Sequence, residues 1–185
     1  MEVGMYDLLI LGMLMAHDYS GYKLGHVLGE VLVPRRKLSN GVIYPLLDRL
    51  EQEGYITSAE CEINGRRTKM MHITDAGRNR FYELMAQPVA EDAKRADVYR
   101  FKFRGFGQIG PDEQQQILDD YCHSIQNDLD HYRHAQTKMV REAEKYPEQQ
   151  AHYQWAGNTI ALQIDMCEAQ LAWANAQLAA IQTEE

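Results

Sequence analysis

The chain has 185 residues, 45% hydrophobic and 25% charged, with a formal net charge of −8. This composition fits one large domain or two small ones and argues against wholesale disorder. Three widely spaced cysteines, Cys61, Cys122 and Cys167, argue against a disulfide framework and fit reduced thiols in a cytoplasmic protein.

In chain order, VGMYDLLILGMLMA (3–16) predicts a first helix, with Tyr6, Leu9, Ile10, Met13 and Leu14 at helical spacing. Its apolar run, Leu8 to Ala16, follows Asp7 rather than a basic leader. The run is far short of the roughly 20 residues a membrane span needs, so no membrane partner or export signal is expected. After a turn at His17-Asp18-Tyr19, Ser20 is placed to cap a second helix with an apolar face of Leu24, Val27, Leu28 and Val31. Pro34 ends it, and the basic triplet Arg35-Arg36-Lys37 follows. Ser39 or Asn40 caps a third helix, whose buried stripe is Ile43, Leu46, Leu47 and Leu50. Asn40, Tyr44 and Arg49 are polar groups left for its outer face. Pro45 lies late for a first turn, so the regular helix is expected to start late, and Gly54 terminates it.

Two strand-like runs, Ile56–Ile63 and Thr68–Ile73, flank Asn64-Gly65, a hairpin pair tolerant of positive φ; with Arg66-Arg67 included, a four-residue loop is expected. Thr74 caps a fourth helix that Pro88 closes. The order helix, helix, helix, hairpin, helix predicts a winged helix-turn-helix over 1–87, in which the third helix enters the major groove and the hairpin follows the backbone. Residues 88–110 read as a connector. A long polar helix from Pro111 to 144 carries Ile117, Tyr121, Ile125, Leu129, Tyr132, Met139 and Val140. Tyr146-Pro147 breaks it. The last helix holds Ile160, Ile164, Cys167, Leu171, Ala174, Leu178 and Ile181 at alternating spacings of four and three, a coiled-coil-like seam. The fold class is thus mostly α with one small β-hairpin, and 111–185 is expected to be an antiparallel helical dimerisation domain that makes the protein a homodimer.

Charge is unevenly placed. Residues 1–80 balance ten basic against ten acidic groups, while 81–185 hold nine against seventeen. Residues 34–80 sum to +3, clustered as Arg35-Arg36-Lys37, as Arg66, Arg67 and Lys69, and as Arg78 and Arg80. Local field governs approach to a phosphate backbone, so double-stranded DNA is the expected partner.

These segments resemble the PadR family of bacterial transcriptional regulators. The resemblance runs through Leu8–Leu14 with Ser20-Gly21-Tyr22, through Gly41-Val42-Ile43-Tyr44-Pro45-Leu46-Leu47 and Leu50-Glu51-Gln52-Glu53-Gly54-Tyr55-Ile56, and through Gly65-Arg66-Arg67, Ile73-Thr74 and Gly77. It covers about residues 5–85. It implies a dimeric repressor at an operator with two half-sites, sometimes released by a small aromatic effector such as a phenolic acid. Carried over, Ser20 and Tyr22 touch phosphate, Asn40 and Tyr44 face the groove, and Arg66, Arg67 and Lys69 hold the backbone. With Arg35, Arg36, Lys37, Ser39 and Arg49 they complete the expected DNA-binding set, and Phe103 and Trp155 are candidate effector linings. Arg35-Arg36-Lys37 departs from the family pattern.

Rival readings are weaker. Gly105-Phe106-Gly107-Gln108-Ile109-Gly110 matches GxGxxG after the strand-like VYRFKFR, yet no second strand ending in an acid follows. As an RNA-binding segment the same stretch lacks the required aromatics. His123, His131 and His134 do not complete a metal site. No nucleophile–base pair is visible, so neither catalysis nor a cofactor is expected. The alternative function is a winged-helix protein–protein module without DNA readout.

Overall fold

The computed structural model describes residues 3–33, 39–63 and 65–183. Pro34, Arg35, Arg36, Lys37 and Asn64, and the expectations placed on them, lie outside the described residues, as does the side chain of Arg66.

Helix α1 (Val3–Ala16) is the axis of the first of two units, residues 1–110 and 111–185. Tyr6, Leu8, Leu9, Ile10, Leu11 and Leu14 are all buried, more than the expected stripe, because α1 is covered on several sides. A helix apolar nearly all round belongs in a core.

Strand β1 (Tyr19–Ser20) runs directly into α2 (Gly21–Val31), and the Ser20 hydroxyl accepts from Lys23 N–H at 3.3 Å as the N-cap. Helix α3 (Asn40–Gln52) buries Ile43, Leu47 and Leu50. It is already regular at Asn40, so Pro45 sits in its second turn rather than before a late start. The missing N–H costs one bond to the Gly41 carbonyl on an exposed face. Gly54, at φ 75°, ends the helix as its sequence predicts.

Strands β2 (Ile56–Ile63) and β3 (Arg66–Ile73) pair antiparallel, Ile56 opposite Ile73 and Ile63 opposite Arg66. The loop is therefore two residues, not four: Arg66 and Arg67 belong to the ladder, and Gly65 at φ 75° closes the bend. Tyr19 and Ser20 pair with Met71 and Met70, which gives a three-stranded sheet in the order β1-β3-β2.

Helix α4 (Asp75–Ala86) starts at Thr74, whose hydroxyl accepts from Gly77 N–H at 3.0 Å. That hydroxyl also lies 2.6 Å from the Gly54 carbonyl, locking the end of α3 to the start of α4. The expected connector contains helix α5 (Arg95–Arg104) and a 3-10 turn at Phe106–Gln108. Buried Lys102 donates to the carbonyls of Met85 and Gln87 at 2.7 and 2.5 Å, holding α5 to the end of α4. The strand-like alternation of aromatics is overridden by these contacts. Residues 95–104, directly before the glycine run, are helix rather than strand, so its dinucleotide and RNA-binding readings lose their required context.

The second unit is an antiparallel pair, α6 (Pro111–Lys145) and α7 (Gln150–Thr183), joined by a 3-10 turn at Pro147–Gln149. Arg133 donates to Glu168 at 2.8 Å, and the Tyr121 and Trp173 rings meet edge to face. Ile117, Tyr121, Ile125 and Leu129 of the expected α6 stripe are buried; Val140 is exposed. No helix among the described residues is long and apolar enough to cross a membrane.

Candidate nucleic-acid interface

Helices α2 and α3 meet closely because α2 presents glycine to α3. A Cβ at Gly21 would lie 3.2 Å from both Tyr44 Cε1 and Leu47 Cδ1, and one at Gly25 would lie 3.1 Å from Ile43 Cγ1. This approach places the start of α2 beside the first half of α3. Tyr22 is 75% exposed, Tyr44 is 42% exposed, and Ser39 and Asn40 are exposed. Ser39 sits at the N-cap position without a side-chain capping bond. Tyr44 thus has one ring edge against α2 and the rest open.

The wing sits behind α3. Glu51 of α3 accepts from the Ser58 hydroxyl of β2 and from Lys69 Nζ of β3, the latter at 3.1 Å. Ser58, then Lys69, hold the Glu51 carboxyl below its usual range. Side chains alternate along a strand, so Arg67 shares the Lys69 face and is exposed. Lys69 is therefore half-spent on an ion pair, while Arg67 extends the same edge outward.

Arg49 differs from the other expected DNA residues. Its Nη2 donates to Asp7 of α1, which is 2% exposed, and its Nη1 donates to Glu53 at 2.9 Å. Burial raises the Asp7 carboxyl pKa; the hydrogen bond and charge of Arg49 act against that rise. The pairing of Asp7 and of Glu51 is not legible in the sequence, since no local pattern says that residues 42 or 18 positions apart will pair.

Elsewhere, Phe103 is half-buried, stacked on Tyr99 and edge-on to Phe106. Trp155 is 72% exposed. Neither lines the two clefts described, one of about 270 Å³ bordered by Met5, Leu84, Val98 and Lys102, the other of about 690 Å³ at the α6–α7 bend. On α7, Cys167 and Ala174 are buried and Ile160, Ile164, Leu171, Leu178 and Ile181 half-buried, so the expected seam is already partly covered within one chain. A second apolar row, Trp155, Leu162, Met166 and Trp173, is exposed at spacings of seven, four and seven.

Three helices closed by a hairpin, with the third helix open along its first half, define a winged helix-turn-helix of the DNA-binding regulator class. Residues 10–83 match the model described as the Transcriptional regulator PadR-like family. That family is one of transcriptional regulators. The Negative transcriptional regulator PadR of Bacillus subtilis is 27% identical over 139 residues, 73% of this chain and 75% of the relative. Among solved structures, Bacillus subtilis PadR in complex with operator DNA is similar over 98% of both chains at 23% identity, with a TM-score of 0.43. A PadR-like transcriptional regulator from Bacillus cereus is similar over 97% of this chain and 99% of that one at 26% identity, with a TM-score of 0.39.

Proposed function

We propose that the protein is a cytoplasmic, homodimeric repressor that places α3 of each subunit in the major groove of an operator with two half-sites. The observation that carries this reading is the open tip of the helix pair, where Tyr22, Asn40 and Tyr44 are exposed while Ile43, Leu47 and Leu50 are buried beneath them. Asn40 and Tyr44 read bases; Ser20, Tyr22 and the wing residues Arg66, Arg67 and Lys69 meet the backbone. Repression is supported by the relative, which is described as a negative transcriptional regulator.

Dimerisation is supported by the second row of α7. Trp155, Leu162, Met166 and Trp173 recur at coiled-coil spacing on a helix whose other side is covered. A second copy of α7 offers the same row and suits a two-fold interface. A small aromatic effector, such as a phenolic acid, would bind the DNA-competent and incompetent dimers with different affinity. Footprinting on the chain's own upstream region tests the whole reading. A protected site with half-sites roughly 10 base pairs or a multiple apart is expected. Log affinity should fall with log salt at a slope of about −5, for about six neutralised phosphates. Binding that ignores salt would refute the reading.

A further inference from the structure

Asp7 is the charged residue of α1, and it is buried against α3. Arg49 bridges it to Glu53 through one planar guanidinium, so a rigid fork joins the axis of the unit to the last turns of α3. We propose that Arg49 is a positioning residue: it sets the pitch of α3 against α1, and so determines which DNA sequence is read, without touching DNA itself. This rests on the reading that α3 enters the groove.

Two further observations support it. Around a helix of 3.6 residues per turn, Arg49 lies about 140° from Tyr44 and about 180° from Asn40. Tyr44 leans on α2 and Arg49 reaches α1, so they occupy opposite flanks of α3. Secondly, ionising Asp7 carries a cost, because burial outweighs what Arg49 returns to it. A buried pair that does not recover its desolvation adds little to stability, and its value is geometric.

The test compares wild type with Asp7→Asn, Arg49→Lys and the double variant Asp7→Leu/Arg49→Met. The probes are the tightest duplex selected by wild type from a random-sequence pool and a scrambled duplex of equal length. All three variants should bind the scrambled duplex as wild type does, with the same salt slope. Discrimination between the duplexes should fall about tenfold or more, a loss of about 1.4 kcal/mol. Arg49→Lys keeps the charge but not the fork, so it separates positioning from phosphate contact and needs no repacking. If Arg49→Lys discriminates as wild type does, the proposal is wrong. It is equally wrong if Asp7→Asn is silent while loss of Arg49 weakens both duplexes and lowers the slope, the signature of direct contact. If wild type itself selects no preferred duplex, the groove-reading function fails instead, a distinct result.

Discussion

Lys69 of the wing donates to Glu51 of the groove helix across 3.1 Å, and Ser58 donates to the same carboxylate. Hairpin and helix thus share one anionic hinge point. The Glu51 pKa is depressed on folding, so its contribution is present above the unfolded value of about 4.3 and is lost as pH falls through the folded value. Glu51→Gln should lose less melting temperature than wild type between about pH 5 and pH 3. The effect is small, because the groups are partly solvated. Thermal melts across that range check it.

At Asp7 the sign is reversed. Its folded pKa is raised, so protonation favours the folded chain, and the ionised form carries a penalty above that pKa. Arg49→Met alone strands a buried carboxylate and should cost about 3 kcal/mol, whereas Asp7→Leu/Arg49→Met should recover most of that loss. Urea denaturation of the three proteins decides the matter.

Gly77 admits no side chain. A Cβ there would lie 2.0 Å from the Tyr55 carbonyl oxygen and 2.9 Å from Ile73 Cγ1. Gly77→Ala must break the junction between α3 and α4 and should destabilise by about 3 kcal/mol or more. Thr74→Ala, which removes the cap but keeps the backbone path, should cost about 1 kcal/mol. Calorimetry on both variants measures the difference.

Wing and groove substitutions should separate by what they do to sequence preference. Arg67→Ala should weaken all duplexes alike and lower the salt slope by about 1 per site removed. Asn40→Ala and Tyr44→Ala should change which sequence is bound best, by about 1–3 kcal/mol at the affected base pair. Binding selections at two salt concentrations distinguish these outcomes.

Leu162→Glu and Met166→Glu place charge in the exposed row of α7 and should yield a folded monomer with unchanged helicity. Sedimentation and circular dichroism together test that. A dimer that survives both substitutions would move the interface elsewhere.

Much of the fold was legible because its signals are local. Ser20 and Thr74 cap helices that begin directly after them, Gly54 stops a helix, and Gly65 turns the hairpin. What escaped depends on distant partners. Tyr19-Ser20 is too short to announce a strand and becomes one only beside Met70 and Met71. Residues Tyr99 to Phe103 alternate like a strand, yet Lys102 draws them into a helix by capping α4. Arg49 reads from the sequence as an outer-face DNA-binding residue, because a basic residue on a helix face carries no mark of an acid 42 positions upstream. The last helix carries one heptad so regular that its second apolar row does not stand out in the sequence beside it.

The two-residue bend leaves the hairpin no slack. Its tip can travel only if both strands grow, and one added residue on each would turn the side chains beyond the insertion to the opposite surface. Lengthening by two on each strand advances the tip by about 7 Å with facings preserved. Reach toward neighbouring phosphates is therefore adjustable in discrete steps, as on a ratchet, and a family built on this frame would vary its footprint by paired insertions.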